Sequence, residues 1–425
     1  MRYSNLLQNR YFQYSCLMTL FALMICLRMP EIILKGRFWC EEGNIFFHNA
    51  WIMSPGNALF NSFGGYLNLI ANAAPLAARW FLPIAYAPYM TITVALIMQL
   101  CPLLLLLISK DVWIQNIWNK IFAVFLILFV PAAEEIWLNS LHCQFQLALC
   151  CAIILALDAT RPSELSSWFR YGLLFLAPLC GPGAVALLPL FILRSTIERD
   201  SWRFFQTLPL LLGSILQLGL FYHHEHSRVY TLDVTALLDI FTVRHLMLPF
   251  LGISYTEYAA PLIEARRMSG HIALKATLLP LIIFGPLLLL TLARKEHRPA
   301  FWFLIAGGFL ACVSYFGAIG GAEGLIHARA GGRYIFVPQA LFSLSLLALA
   351  STGKSLVKFA WIPVVWLIIL GGSEYVKPWD VIADGPPWRH EVAIWQKDPS
   401  YQLHVWYADW TRVVLPENAY QSVKR

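Results

Sequence analysis

The sequence predicts an all-α polytopic membrane protein of about eleven transmembrane helices, and three observations predict it. Of 425 residues, 59% are hydrophobic and only 13% charged, where soluble domains carry about 25% charged residues. Mean hydropathy is +0.61. Apolar runs such as 103–108 and 122–130 recur along the chain, and about 20 apolar residues per helix span the hydrocarbon layer. Together these exclude a soluble Rossmann-type enzyme, a nucleic-acid binder and a disulfide-built secreted domain. Of the nine cysteines, eight lie in or beside apolar runs and only Cys40 stands in a polar loop, with no CxxC pair. The net charge of +7 needs no acidic partner, because loops on the cytoplasmic side of membrane proteins are rich in Lys and Arg.

Taken in order, the candidate spans are 11–27, 83–109, 119–133, 142–158, 166–180, 182–194, 204–222, 272–293, 300–319, 334–352 and 358–372. The first has no small-residue cleavage site after it and reads as a retained span rather than a signal peptide. The fifth and sixth are short and flank Gly181-Pro182-Gly183, so they form either two thin spans or a re-entrant pair. With the N-terminus inside, fourteen of the 31 Lys and Arg fall in short inner loops, as the positive-inside rule expects. Eleven crossings place the C-terminus outside. Eighteen of the 24 acids then fall on the outer side.

Three outer segments exceed plain connectors. Residues 28–82 carry Glu31, Glu41 and Glu42 and then an aromatic stretch from 45 to 63. There Phe47, Ala50 and Trp51 stand at i, i+3, i+4, the spacing of an interfacial helix lying in the membrane plane. Residues 223–271 contain two further interfacial pieces, 232–241 and 246–253. Residues 373–425 form a polar outer cap with Trp379, Trp388, Trp395, Trp406 and Trp410, which suit packing better than sugar stacking. The chain thus divides into a transmembrane domain, 1–372, and a small cap.

Four constellations carry chemistry. Phe38-Trp39-Cys40-Glu41-Glu42-Gly43 sets two carboxylates side by side near the bilayer, where crowding and desolvation raise one pKa into the range of a general base. The plainer alternative is a solvated pair at a helix N-terminus. Glu134-Glu135-Ile136-Trp137-Leu138-Asn139, with His142 and Gln144, adds acid, amide and imidazole groups at the same face. His223-His224-Glu225-His226 offers His224 and His226 as weak metal ligands without a defined third. Arg267, Arg329 and Arg333 are outer guanidinium groups suited to a phosphate, or to snorkelling toward lipid headgroups. No acid falls mid-span, which disfavours a channel or proton-coupled carrier.

The layout resembles the GT-C class of integral-membrane glycosyltransferases, which take sugars from polyprenyl-phosphate donors. The resemblance rests on one span followed by an outer loop opening with Trp39-Cys40-Glu41-Glu42-Gly43, and on Glu135-Ile136-Trp137-Leu138-Asn139 with Gln144, a stretch similar to one in bacterial members. It covers the topology throughout and sequence motifs only in about the first 150 residues. Glu41 stands where the class usually has Asp, and the second outer loop lacks Asp-x-Asp. The resemblance implies a multi-pass bacterial inner-membrane enzyme with its site on the periplasmic face. It implies Glu41 as the base, with Glu42 and Glu135 as polar partners. Arg333, with Arg329 and Arg267, would hold the donor phosphate, while Asn139, His142 and Gln144 contact donor or acceptor. The acceptor class is a cell-envelope glycan such as lipopolysaccharide, a lipid or a protein. No cofactor is implied beyond a possible divalent cation. The rival readings are an O-antigen polymerase or ligase, and a lipid-linked-sugar flippase or transporter.

Overall fold

A computed structural model describes residues 10–161, 163–222, 233–269, 274–318, 323–352, 355–406, 411–417 and 419–420. The protein is a helical, multi-pass membrane protein. Among the described residues six helices are long and apolar enough to cross a bilayer: Ile84–Ile108, Val234–Leu251, Leu274–Leu292, Lys295–Phe316, Gly332–Thr352 and Val357–Tyr375. A seventh candidate is the pair Leu165–Cys180 and Pro182–Glu198, bent by 115°. The expected count of eleven is therefore not met. The runs at 11–27, 119–133 and 142–158 yield the shorter helices Phe12–Arg28, Ile117–Leu128 and Cys143–Ala156. In the second of these the chain leaves the helix near Phe129, ahead of Pro131, where the backbone turns into an irregular loop. The bend between the paired helices has a local cause, since Pro178 and Pro182 remove donors on either side of an extended Gly181.

Lipid-facing surfaces are legible from exposure. Leu281, Ile282 and Leu289 on Leu274–Leu292, and Ile362 and Ile369 on Val357–Tyr375, are exposed apolar side chains in a chain whose interior is otherwise close-packed. Gly332–Thr352 lies at the centre of the bundle, packed on Lys295–Phe316, on Ile117–Leu128 and on Cys143–Ala156. Such a 21-residue helix is about 30 Å long and separates two ends of different chemistry. One end gathers the loops at 36–42, 129–142 and 327–333. The other gathers Asp111, Asp158, Glu198, Arg194, Lys295 and Arg298 around a cavity of about 490 Å³.

The stretch from 45 to 63 differs from its expected place. It forms a six-residue π-turn, Glu42–Phe47, then two short helices, His48–Ile52 and Pro55–Leu59, and a hairpin. Phe47 and Trp51 do not face lipid: they pack with Trp388, Val392, Trp395 and Leu403 of the C-terminal cap. The apolar spacing that suggested a membrane-lying helix is the face that receives the cap. Segment 232–253, expected as two interfacial pieces, is from Val234 a continuous helical stretch carrying a π-turn at Thr242–Met247.

The cap is pinned to the first acidic loop by backbone. Trp39 and Trp406 form a parallel β-bridge, Trp406 N–H donates to Phe38 O at 3.1 Å, and Cys40 N–H donates to Trp406 O. Trp388, Trp395 and Trp406 are all fully buried, so these three pack rather than meet a ligand. Trp410 lies outside the described residues. Trp388 meets Phe38 edge-on at 5.0 Å and donates its indole N–H to Ile84 O at 2.8 Å. Trp388→Ala should therefore cost about 3–5 kcal/mol, read as a lower melting temperature of the detergent-solubilised protein. An unchanged melting temperature would mean that the cap is not part of the core.

Candidate active site

The site is assembled where two irregular loops, one glycine turn and the cap meet. Residues 130–142 are buried without a break, although they contain only a single short 3-10 turn, Glu134–Ile136. A buried loop must have its backbone groups satisfied by side chains. Arg28 donates to Leu128 O at 2.9 Å, Arg37 to Trp137 O at 2.7 Å, Gln99 to Ile136 O at 3.1 Å and Asn68 to Leu141 O at 2.9 Å. Arg37 is further sandwiched between the rings of Trp39 and Trp406, at 4.9 and 5.2 Å.

The two adjacent glutamates take different parts. Glu42 is fully buried and accepts three hydrogen bonds: from Ser140 N–H and Ser140 Oγ–H, each at 2.6 Å, and from Trp39 N–H at 3.1 Å. It ties the first acidic loop to the second and lines neither of the cavities that Glu41 borders. Burial pushes its carboxyl above the usual glutamate range, opposed by the Ser140 and Trp39 donors and by the nearby Arg37 charge. Glu41 is half-buried and turned the other way, and among the described residues it has no hydrogen-bond or ion-pair partner. It borders two cavities, of about 280 and 310 Å³, and Arg333 borders both as well.

Arg333 is aimed by Glu135. Glu135 accepts the Arg333 backbone N–H at 2.6 Å and its guanidinium at 3.0 Å, while the Tyr334 ring lies 5.0 Å from the guanidinium carbon. This approach requires glycine at 332, because a Cβ there would run into the Ala132 carbonyl, and Gly331 takes φ +56° to make the turn. Glu134, the other acid of the pair, is buried 3.5 Å from Arg28. Among the described residues, three of the four positive-φ residues other than glycine, Cys40, Ala132 and Leu138, lie in these two loops. Backbone held in that region costs about 1–3 kcal/mol per residue and clusters at functional sites.

Asn139 and His142 both donate to Glu135 O at 2.7 Å. Because a carbonyl only accepts, His142 carries its proton on Nδ1 and keeps Nε2 as an acceptor. His142 and Gln144 line the first cavity, and Gln144 donates to the Tyr66 hydroxyl at 3.2 Å. Asn139 is buried behind them and acts on the loop. The phosphate candidates separate. Arg329 pairs with Glu257 at 2.6 Å and borders the second cavity, whereas Arg267 is held by Asp233 at 2.8 Å and Asp239 at 3.3 Å and lines neither cavity. His224 and His226 lie outside the described residues, and among those described no cluster of three His, Cys, Asp or Glu has metal-site geometry.

No known family model, curated protein or solved structure matches this chain. The site is therefore read on its own geometry. Sequence reasoning missed Phe63, Tyr66 and Asn68, which line the first cavity. The signal was present as Gly64-Gly65 between two aromatics, a hairpin turn with both glycines at positive φ, pairing Phe63 with Tyr66. Gln217 locks this hairpin by bonding both N–H and O of Leu67.

Removing Glu42 should damage folding and not chemistry alone. Glu42→Ala strands two buried backbone N–H groups, about 1–3 kcal/mol each, so its melting temperature should fall while that of Glu41→Gln holds. A carboxyl whose folded pKa is raised stabilises fully below its unfolded pKa and loses that contribution as pH rises through the folded value. Wild-type melting temperature should thus decline as pH climbs above the ordinary glutamate range. Glu42→Gln should flatten that slope, and an equally steep slope in the variant would exclude Glu42 as its source.

Proposed function

We propose that the protein is a membrane glycosyltransferase that moves a sugar from a polyprenyl-phosphate donor to a hydroxyl of a cell-envelope acceptor. The observation that carries the reading is the placement of Glu41: a carboxylate without a hydrogen-bond or ion-pair partner among the described residues, shared by two cavities and facing an oriented arginine. The first cavity adds what such a donor needs, since Phe46, Phe63, Phe145 and Phe316 line it alongside Arg333, His142 and Gln144. An isoprenoid tail suits the phenylalanines and a phosphate suits the guanidinium. The resemblance to the GT-C class supports the same assignment of Glu41 from the sequence alone.

In this reading Glu41 accepts the proton of the acceptor hydroxyl. The hydroxyl oxygen bonds to the anomeric carbon as the carbon–oxygen bond to phosphate breaks. Polyprenyl phosphate leaves with the electron pair, its charge facing Arg333, and the anomeric carbon inverts. Glu135 positions Arg333, and Glu42 positions the loop that presents Glu41. The enzyme sits in the bacterial inner membrane with this end periplasmic. The described part of the cap packs on the first acidic loop, so it lies on the same side as the site.

A second reading, a lipid-linked-sugar transporter, gains one observation. Val234–Leu251 is apolar enough to span and buries Asp239, Arg244 and His245, where no such groups were expected within spans. A vesicle assay separates the two: the transporter moves labelled lipid-linked sugar between leaflets without a covalent product.

General-base assistance is worth about 10²–10⁴ in rate. Glu41→Gln should lose that much transfer while retaining labelled polyprenyl-phosphate sugar, and transfer at the parent rate would place the base elsewhere. Arg333→Lys keeps the charge but not the planar fork, so donor retention should weaken without vanishing. For topology, an alkaline phosphatase fused after the last residue should be active; a silent fusion would turn the site to the cytoplasm.

A further inference from the structure

The second cavity does not resemble the first. Where the first has four phenylalanines, the second is lined by Glu134, Glu135, Arg329 and the 331–333 turn, with Ile382 and two indoles, the buried Trp39 and the half-buried Trp379. It continues past Arg329, Ala330 and Trp379 into a third cavity of about 380 Å³ that adds Glu257 and His327. A path of carboxylates, guanidinium and indole therefore leads away from Glu41 on the cap side.

Trp379 is set apart from its neighbours in the cap. Trp388, Trp395 and Trp406 are consumed by packing, whereas Trp379 is half-buried and borders both of these cavities. Its ring centre lies 5.5 Å from the Arg329 guanidinium carbon. Arg329 is only partly spent: Nε donates to Glu257, while Nη1 has no hydrogen-bond partner among the described residues. A guanidinium beside an aromatic face and several carboxylates is the equipment of a carbohydrate site. Sugar hydroxyls donate to carboxylates and accept from guanidinium, and the ring's C–H face covers indole. A lipid acceptor would want the phenylalanine or leucine wall that the first cavity has and this path lacks.

We infer that the cap-side chamber is the acceptor site and that the acceptor is a glycan, stacked on Trp379 and bonded by Arg329, with its reactive hydroxyl directed at Glu41. This rests on the glycosyltransferase reading for the word acceptor, but the binding of a glycan at Trp379 stands independently of it.

The test uses the full-length protein in detergent on an array of immobilised cell-envelope oligosaccharides, alongside retention of labelled polyprenyl-phosphate sugars. Wild type should retain a subset of the glycans. Trp379→Ala should weaken that retention about tenfold or more, Trp379→Phe should restore part of it, and Arg329→Ala should also weaken it. Donor retention by Trp379→Ala and thermal melting are the controls. Glycan retention that does not depend on Trp379 overturns the inference, as does loss of the donor with the glycan in a variant that melts like wild type. If glycan retention depends on Trp379 but no sugar transfer is found, the chamber stands and the glycosyltransferase reading falls.

Discussion

The structure depends on burying an irregular loop. From Val130 to His142 the chain is out of water and out of regular helix, so its carbonyls and amides have neither solvent nor a helical ladder to satisfy them. Each group left without a partner costs about 1–3 kcal/mol, and five such penalties rival the whole net stability of a domain. Arg37, Asn68, Gln99, Asn139 and Glu42 remove them one by one, and Arg28 does the same for Leu128 just ahead of the loop. This explains why charged side chains are tolerated in a protein so poor in charge. They are long donors and acceptors reaching into a loop that helices cannot supply.

One consequence is the asymmetry of the acidic pair. Two carboxylates on consecutive residues repel and desolvate each other unless the backbone sends them apart. Cys40, at φ +26° and gripped by Trp406, gives the local turn that does so. Glu42 goes inward to Ser140 and Glu41 outward to the cavity. The anchor makes the other acid available: with Glu42 fixed on the second loop, Glu41 is presented on a rigid backbone instead of a free loop tip. Glu135 plays the matching part across the cavity, holding Arg333 by its backbone as well as its fork.

Membrane character was legible in composition, and the acidic face was legible in Glu41-Glu42 and Glu134-Glu135, because such groups are rare in a chain with 13% charge. The number of spans was not. Hydropathy measures apolar length, and the same apolar length serves a spanning helix, a buried short helix such as Cys143–Ala156, or a loop such as 129–133. Nor could spacing tell a face for lipid from a face for protein: Phe47 and Trp51 met the helical template but cover the cap. The division of labour within each acid pair depends on contacts across 98 residues for Glu42 and 198 for Glu135, which no local pattern encodes.

The buried polar groups of Val234–Leu251 bear on the choice between enzyme and carrier. A carrier needs ionisable groups that change partners as access alternates. Here Asp239 and His245 are committed, and Arg244 is anchored through Nη1, its Nε and Nη2 having no hydrogen-bond partner among the described residues. Asp239 accepts from Thr277 at 2.8 Å and faces Arg267, His245 is held between Gln339 and the Tyr315 hydroxyl, and Arg244 donates to His327 O. Arg244 thereby steadies the segment 327–333 from behind, and that segment carries Arg329 and Arg333 into the cavities. The core beside it is closed, since Gly332–Thr352 is buried along nearly its whole length and interlocks with Lys295–Phe316 at Gly307, against Phe342 and Leu341. Polar groups that brace one end of a closed bundle suit a fixed site, which is what the proposed transfer reaction, and not a carrier cycle, would need.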